Sequence, residues 1–273
     1  MRVAALQFDV SSDPEVNWSF VEPQLELAAE RGVELVLLPE MWASSFPTAR
    51  DDAFESAKRD RELVQRLYGK GAELGIALGG SALFADATEG QTQLLNRLEI
   101  FDGGASIFSY DKVHLFTPTA EHETFVPGSD SPGVSELRGC KVSGAICYDL
   151  RFPEILRMPF RAGAELILIS AQWPSPRAAH WQALCIARAV ENQCFVLACN
   201  RTGEALIGRR QQKLEFPGNS LVVSPYGEIL ASGEGQQGLV SADIDLQVAR
   251  HFRVRVPCIK DDRPDLYERW YKS

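Results

Sequence analysis

Short apolar runs alternate with longer amphipathic stretches along this chain of 273 residues. Val3 to Val10 reads as a first strand, and Pro14 to Arg31 carries apolar residues at helical spacing before Gly32 stops the helix. Leu35-Val36-Leu37-Leu38 is short enough for a buried strand and ends at Pro39-Glu40. A polar helix is expected from about Asp51 to Leu74, stopped by Gly75. Ile76 to Phe84, Leu94 to Phe101 and Ser106 to Tyr110 read as strands, with Asp102-Gly103-Gly104 as a hairpin turn. Further strands are expected at Gly133–Leu137, Val142–Cys147, Leu166–Ser170, Phe195–Cys199, Ser220–Ser224, Glu228–Ala231 and Leu239–Asp243. Pro153 opens a short helix, and two more are expected over Pro176–Glu191 and near Leu246–Arg253. This interleaving predicts a layered α/β fold with a mixed sheet or paired sheets. No linker, low-complexity stretch or repeat of solenoid length interrupts it, so residues 1–273 are expected to form a single domain.

Composition narrows the function classes. The formal net charge is −9 with a pI near 5.1, and no Lys/Arg-dense run offsets it, which disfavours a nucleic-acid binder. No apolar run reaches the length of a membrane span, and the start MRVAALQFDV lacks a signal-peptide pattern. The six cysteines include no C-x-x-C pair, which points to reduced thiols and a cytoplasmic protein. None of the four histidines stands at metal-ligand spacing from another His or a Cys, so no metal is expected. The chain has no G-x-S-x-G elbow and no Walker A loop. Gly233-Glu234-Gly235-Gln236-Gln237-Gly238 matches G-x-G-x-x-G but lies between two strand-like runs and opens no helix; it reads as a hairpin turn.

Four residues remain as candidates for chemistry. Cys147 ends an apolar run and leads into a helix, so it would sit exposed at a sheet edge, with the following N–H groups free to face an oxyanion. Against this, free cysteines are more often simply buried. Glu40 ends a buried strand beside Trp42, where desolvation would suit it to general-base work; capping a loop or pairing with an arginine is the alternative. Lys112 closes a strand, where a packed surface lysine is the commoner fate. Glu121 follows it in a loop beside Glu123 and reads alone as a solvated carboxylate.

In this order and with these neighbours, the four resemble the nitrilase superfamily of carbon–nitrogen hydrolases. The resemblance rests on Leu38-Pro39-Glu40, on Asp111-Lys112-Val113-His114-Leu115-Phe116, and on Cys147-Tyr148-Asp149-Leu150-Arg151-Phe152-Pro153-Glu154. Gly218-Asn219-Ser220 and Ser224-Pro225-Tyr226-Gly227-Glu228 add to it, so that it covers nearly the whole chain. It implies a four-layer α-β-β-α sandwich and a homodimer or higher homo-oligomer. It also implies a Glu40–Lys112–Cys147 triad with Glu121 as a supporting glutamate, and a mechanism with no metal or organic cofactor. Glu40 would act as base, Cys147 as nucleophile, and Lys112 with the Tyr148 N–H as oxyanion donors.

The stretch Ser170–Arg177, running on through His180-Trp181-Gln182 to Gln193, is most similar to the ω-amidase branch. That branch cleaves the terminal amide of small carboxylate-bearing substrates such as 2-oxoglutaramate. Arg177 would then meet the substrate carboxylate and Trp173 form an apolar wall, unless Trp173 is core. Arg151 is expected in a structural ion pair with Asp149 or Glu154. An N-carbamoyl hydrolase, a deaminated-glutathione amidase and a nitrile hydrolase are the alternatives within the superfamily. A non-catalytic subunit or scaffold is the alternative outside it. The aromatic tail from about Cys258 is expected to dock on the body or on a partner protomer.

Overall fold

The computed structural model describes residues 1–47, 50–87, 92–208 and 211–272, with the side chains of 50–52 left aside. The first half runs β1 (Arg2–Gln7), α1 (Pro14–Glu30), β2 (Leu35–Leu37), α2 (Arg50–Leu74), β3 (Ala77–Asp86), β4 (Gln93–Asp102) and β5 (Ala105–Asp111). The second half begins β6 (Ser135–Leu137), β7 (Cys140–Ile146), α3 (Pro153–Arg161), β8 (Leu166–Ala171), α4 (Ala178–Asn192) and β9 (Phe195–Asn200). It continues through β10 (Thr202–Ile207), β11 (Gln212–Pro217), β12 (Leu221–Val223), β13 (Ile229–Ser232), β14 (Gly238–Asp243), α5 (Leu246–Arg255), α6 (Cys258–Asp261) and α7 (Pro264–Tyr271).

Two six-stranded sheets result, in the orders β14-β1-β2-β3-β4-β5 and β13-β12-β9-β8-β7-β6. Their central pairs, β1·β2, β2·β3, β7·β8 and β8·β9, are parallel, and the outer pairs are antiparallel. The period of two along a strand explains why the central runs are apolar throughout. In β1, Val3 and Ala5 enter the core shared with the second sheet, whereas Ala4 and Leu6 meet Trp18, Val21 and Leu25 of α1. On the far face, Trp181, Cys185 and Ala189 of α4 pack against the second sheet. The layers are therefore helix, sheet, sheet, helix.

Two sequence readings need correction. The segment 233–238 is no hairpin turn: it carries the chain from β13 in the second sheet to β14 in the first. A ribbon of β10 and β11, in neither sheet, occupies a stretch for which no element was expected. At the start of the tail, between α6 and α7, Asp262 meets α3. Arg161 of α3 donates to Asp262 at 2.6 Å, and Arg157 to the same carboxylate at 3.5 Å. These bonds hold the Asp262 carboxyl below its ordinary range.

Candidate active site

Parallel strands aim their C-terminal ends at one side of a sheet, and polar residues that directly follow those strands collect there. Glu40 follows β2, Cys147 follows β7, Gln172 follows β8 and Asn200 ends β9. Lys112 directly follows β5, and Glu121 opens a short 3-10 turn further along the same connection.

Glu40, Lys112, Glu121 and Cys147 line one pocket of about 470 Å³, counting its open mouth. The Lys112 ammonium donates to Glu40 Oε1 and to both Glu121 oxygens, each at 2.9 Å. Glu40 is wholly buried. Its Oε1 also accepts from Asn96 Nδ2 at 2.8 Å, and its Oε2 accepts from the Gln172 N–H at 2.9 Å. The Phe116 N–H fixes Glu121 at 2.6 Å. The donors that orient these carboxylates are thus two backbone N–H groups and two buried side chains, Asn96 and Lys112.

Cys147 is not exposed at a sheet edge as its position suggested; it is buried and reaches only the pocket. Its φ of 46° lies in the left-handed region, a sharp turn held against local preference. Asp149 holds that turn. Its carboxyl accepts from the Ile146 N–H at 3.2 Å and Tyr110 OH at 2.9 Å on one oxygen. On the other it meets the His114 N–H at 2.9 Å and His114 Nδ1 at 2.8 Å. His114 in turn stacks on Phe152, with ring centroids 3.7 Å apart. One buried carboxyl therefore ties the nucleophile turn to the lysine segment.

Burial, then the negative charge of Glu40, raises the Cys147 thiol well above its ordinary range, while Lys112 pulls it back. Burial works against the Lys112 charge, but Glu121 and Glu40 outweigh it and hold the ammonium well above the usual lysine value. Burial and the second carboxylate raise Glu121. The site therefore sets the Cys147 sulfur near Glu40, with the Lys112 ammonium between Glu40 and Glu121.

Tyr148, Trp173 and Arg177 line the same pocket. Trp173 is both wall and core: it is 3% exposed, and its indole N–H donates to Arg177 O at 2.8 Å. The expected pairing of Arg151 is corrected. Asp149 turns inward to Tyr110 and His114, and Arg151 turns outward into the pocket. There its guanidinium lies 4.7 Å over Trp173 and 3.3 Å from His180 Nδ1. Among the described residues, neither Arg151 nor Arg177 is ion-paired to a carboxylate.

Sequence reading missed a supporting layer. Arg201 is fully buried and donates to Gln172 Oε1 and Ser45 Oγ at 3.2 Å, and to Asp9 Oδ1 at 2.7 Å. Gln172 Nε2 donates to Glu40 O at 2.8 Å, and the Gln172 carbonyl stands 3.7 Å from Cys147 Sγ. The available signal was positional: Gln172, Asn200 and Arg201, like Glu40 and Cys147, come straight after or at the end of a buried apolar run. No group of three or more His, Cys, Asp or Glu able to hold a metal ion occurs among the described residues.

A model of the carbon–nitrogen hydrolase family matches residues 2–254. The chain is 39% identical to a 2-oxoglutaramate amidase from Bacillus subtilis, over 97% of its own length and 98% of that protein. It is 33% identical to the ω-amidase YafV of Escherichia coli, over 91% of each. Its fold superposes with a TM-score of 0.82 on an amidase from Nesterenkonia sp. AN1, at 28% identity and 99% coverage of both chains. That structure is of a point mutant of the amidase, in which acrylamide has added to the active-site cysteine by Michael addition. The family match runs through both sheets and all three motif segments, and this chain belongs to the carbon–nitrogen hydrolase family.

Proposed function

We propose that the protein is an ω-amidase, hydrolysing the terminal amide of a short carboxylate-bearing acid such as 2-oxoglutaramate. The observation that carries the reading is a pocket with Cys147, Glu40 and Lys112 inside and Arg151 and Arg177 in its lining without a carboxylate partner. Such guanidinium groups suit a substrate carboxylate, as their planar N–H groups match it in bidentate fashion. The names of the similar amidases point the same way.

Glu40 takes the thiol proton as sulfur bonds to the amide carbon. The carbonyl electron pair moves onto oxygen, which Lys112 and the Tyr148 backbone N–H stabilise. One such donor is worth roughly 3–4 kcal/mol of barrier. Collapse breaks the C–N bond, and Glu40 returns its proton to the departing ammonia, leaving a thioester on Cys147. Water enters the vacated place, Glu40 deprotonates it, and acid and free thiol are released. Glu121 keeps Lys112 charged and aimed.

The chain works as a single unit, as a homodimer or larger homo-oligomer, in the cytoplasm. Six unpaired cysteines suit a reducing compartment. Apolar side chains on the C-terminal helices suit a partner protomer: Val254 is 80% exposed and Trp270 61%. Light scattering of the chain with and without residues after Pro264 tests the tail's share in assembly.

The substrate test is ammonia release from 2-oxoglutaramate, 2-oxosuccinamate, glutamine, an aliphatic amide, an N-carbamoyl amino acid and a nitrile, with Cys147→Ala as control. Fast release confined to the keto-acid amides and abolished in the variant is expected. Turnover by a folded Cys147→Ala enzyme would sink the mechanism. Cys147-dependent release only elsewhere in the panel would move the substrate.

A further inference from the structure

The β10–β11 ribbon stands apart from both sheets and roofs the pocket. Its register pairs Gly203 with Phe216, Ala205 with Leu214 and Ile207 with Gln212. Because side chains alternate along a strand, these pairs share one face. Ile207, Leu214 and Phe216 from that face line the pocket. The other face holds Glu204, Leu206, Lys213 and Glu215, all exposed.

The ribbon is fixed at both ends. At its base, Arg201 donates to Thr202 O at 3.0 Å and Glu204 O at 3.3 Å. There Gly203, at φ 79°, approaches Asp9 so closely that a Cβ would stand 2.2 Å from the carboxyl. At its tip, a Cβ on Gly208 would lie 2.2 Å from Thr119 O, so the ribbon bears directly on the loop that carries Glu121. The Arg201 bonds thus anchor the base, and the tip abuts the 117–119 turn.

The inner face therefore forms a graded wall. Phe216 is deepest, under the buried Arg201 guanidinium at 4.8 Å. Leu214 comes two residues further out, a step of roughly 7 Å along the strand. Its cross-strand partner is the small Ala205, so the Leu214 side chain fills that level of the roof alone. β11 also packs beside the 175–177 turn that bears Arg177. We propose that Leu214, with Ile207 behind it, sets the length of acyl chain the enzyme accepts between the scissile amide and the carboxylate. The inference rests on the ω-amidase reading and makes the ribbon its specificity element.

The experiment measures kcat/KM for ammonia release from the ω-monoamides of 2-oxosuccinic, 2-oxoglutaric and 2-oxoadipic acids, the succinic, glutaric and adipic members of one keto-acid series. It uses the full-length wild type, Leu214→Ala and Ile207→Ala. Leu214→Ala should raise the adipic-to-glutaric ratio by about 10-fold, the scale of one methylene in an apolar pocket, and Ile207→Ala should move it the same way by less. A ratio within about twofold of wild type in both folded variants would overturn the proposal. If Leu214→Ala fails to fold, Leu214→Val and Leu214→Phe replace it; the ratio should rise in the smaller and fall in the larger, and the absence of opposing shifts overturns the proposal equally. A wild type inactive on the whole series would fail the ω-amidase reading itself, and this inference with it. That outcome is distinct from an active wild type whose ratio ignores the ribbon.

Discussion

Replacing Asp149 with asparagine changes no volume but leaves one carbonyl oxygen where two carboxyl oxygens met four donors. Two of those partners adapt. Tyr110 OH can rotate to accept from the new amide, and His114 can change tautomer. The N–H groups of Ile146 and His114 cannot adapt, and the asparagine oxygen faces only one of them. The other is left buried against an NH2 group, at a cost of about 1–3 kcal/mol. A loss of ~2 kcal/mol corresponds to a fall in Tm of roughly 4–8 °C for a chain of this size. The orphaned group adjoins the left-handed turn at Cys147, so turnover should fall too, by about 10-fold or more, because small displacements of a reacting atom are costly. Thermal unfolding and ammonia release from the best panel substrate measure both. An Asp149→Asn enzyme that melts within about 1 °C of the parent and turns over at the parental rate would refute this account of the clamp. Asp149→Ala, which strands all four donors, should be worse on both counts.

Three further outcomes are expected. Asp60 is buried, and burial foremost pushes its carboxyl up to about 6. Because that lies above the unfolded value, its contribution to stability is complete below about pH 4 and is lost as pH rises through 6, worth about 3 kcal/mol. Asp60→Asn should therefore resist urea better than wild type at pH 8 and scarcely differ at pH 4.5; equal gains at both would contradict this. Arg151→Gln and Arg177→Gln should each raise KM for a carboxylate-bearing amide by about 10- to 100-fold while sparing a neutral amide of equal length, from the loss of a charge-assisted bond. Steady-state kinetics on the two amides will expose an arginine that does not read the carboxylate. Arg201→Lys keeps the charge but cannot bridge Gln172, Ser45 and Asp9 together, so kcat should drop by up to about 10²-fold with KM little changed. A change confined to KM would put Arg201 in substrate binding instead.

The parts of the fold that were legible in the sequence are those buried on both faces. β1, β2, β8 and β9 read as continuous apolar runs because both inner and outer side chains are covered. The ribbon escaped notice because one face looks into a cavity and the other into solvent. Glu204, Lys213 and Glu215 break its apolar pattern, and no packed core enforces one. The segment 233–238 has the composition of a tight turn, but whether a turn returns to its own sheet or crosses to another depends on strand partners far away in the chain. Arg151 was misjudged for a related reason. Neighbours in sequence suggested Asp149 as its partner, yet Asp149 is claimed by Tyr110 and His114, 39 and 35 positions away. The four candidate residues, which the structure brings into one pocket, stood out more readily, since a polar side chain soon after a buried strand contrasts with its context.

Cys147 lies inside the protein, where burial pushes its thiol toward the protonated form. Peroxide attacks thiolates, and its success follows exposure. Burial of this sulfur therefore works against sulfenic acid formation, while its open side faces the pocket where a substrate would enter.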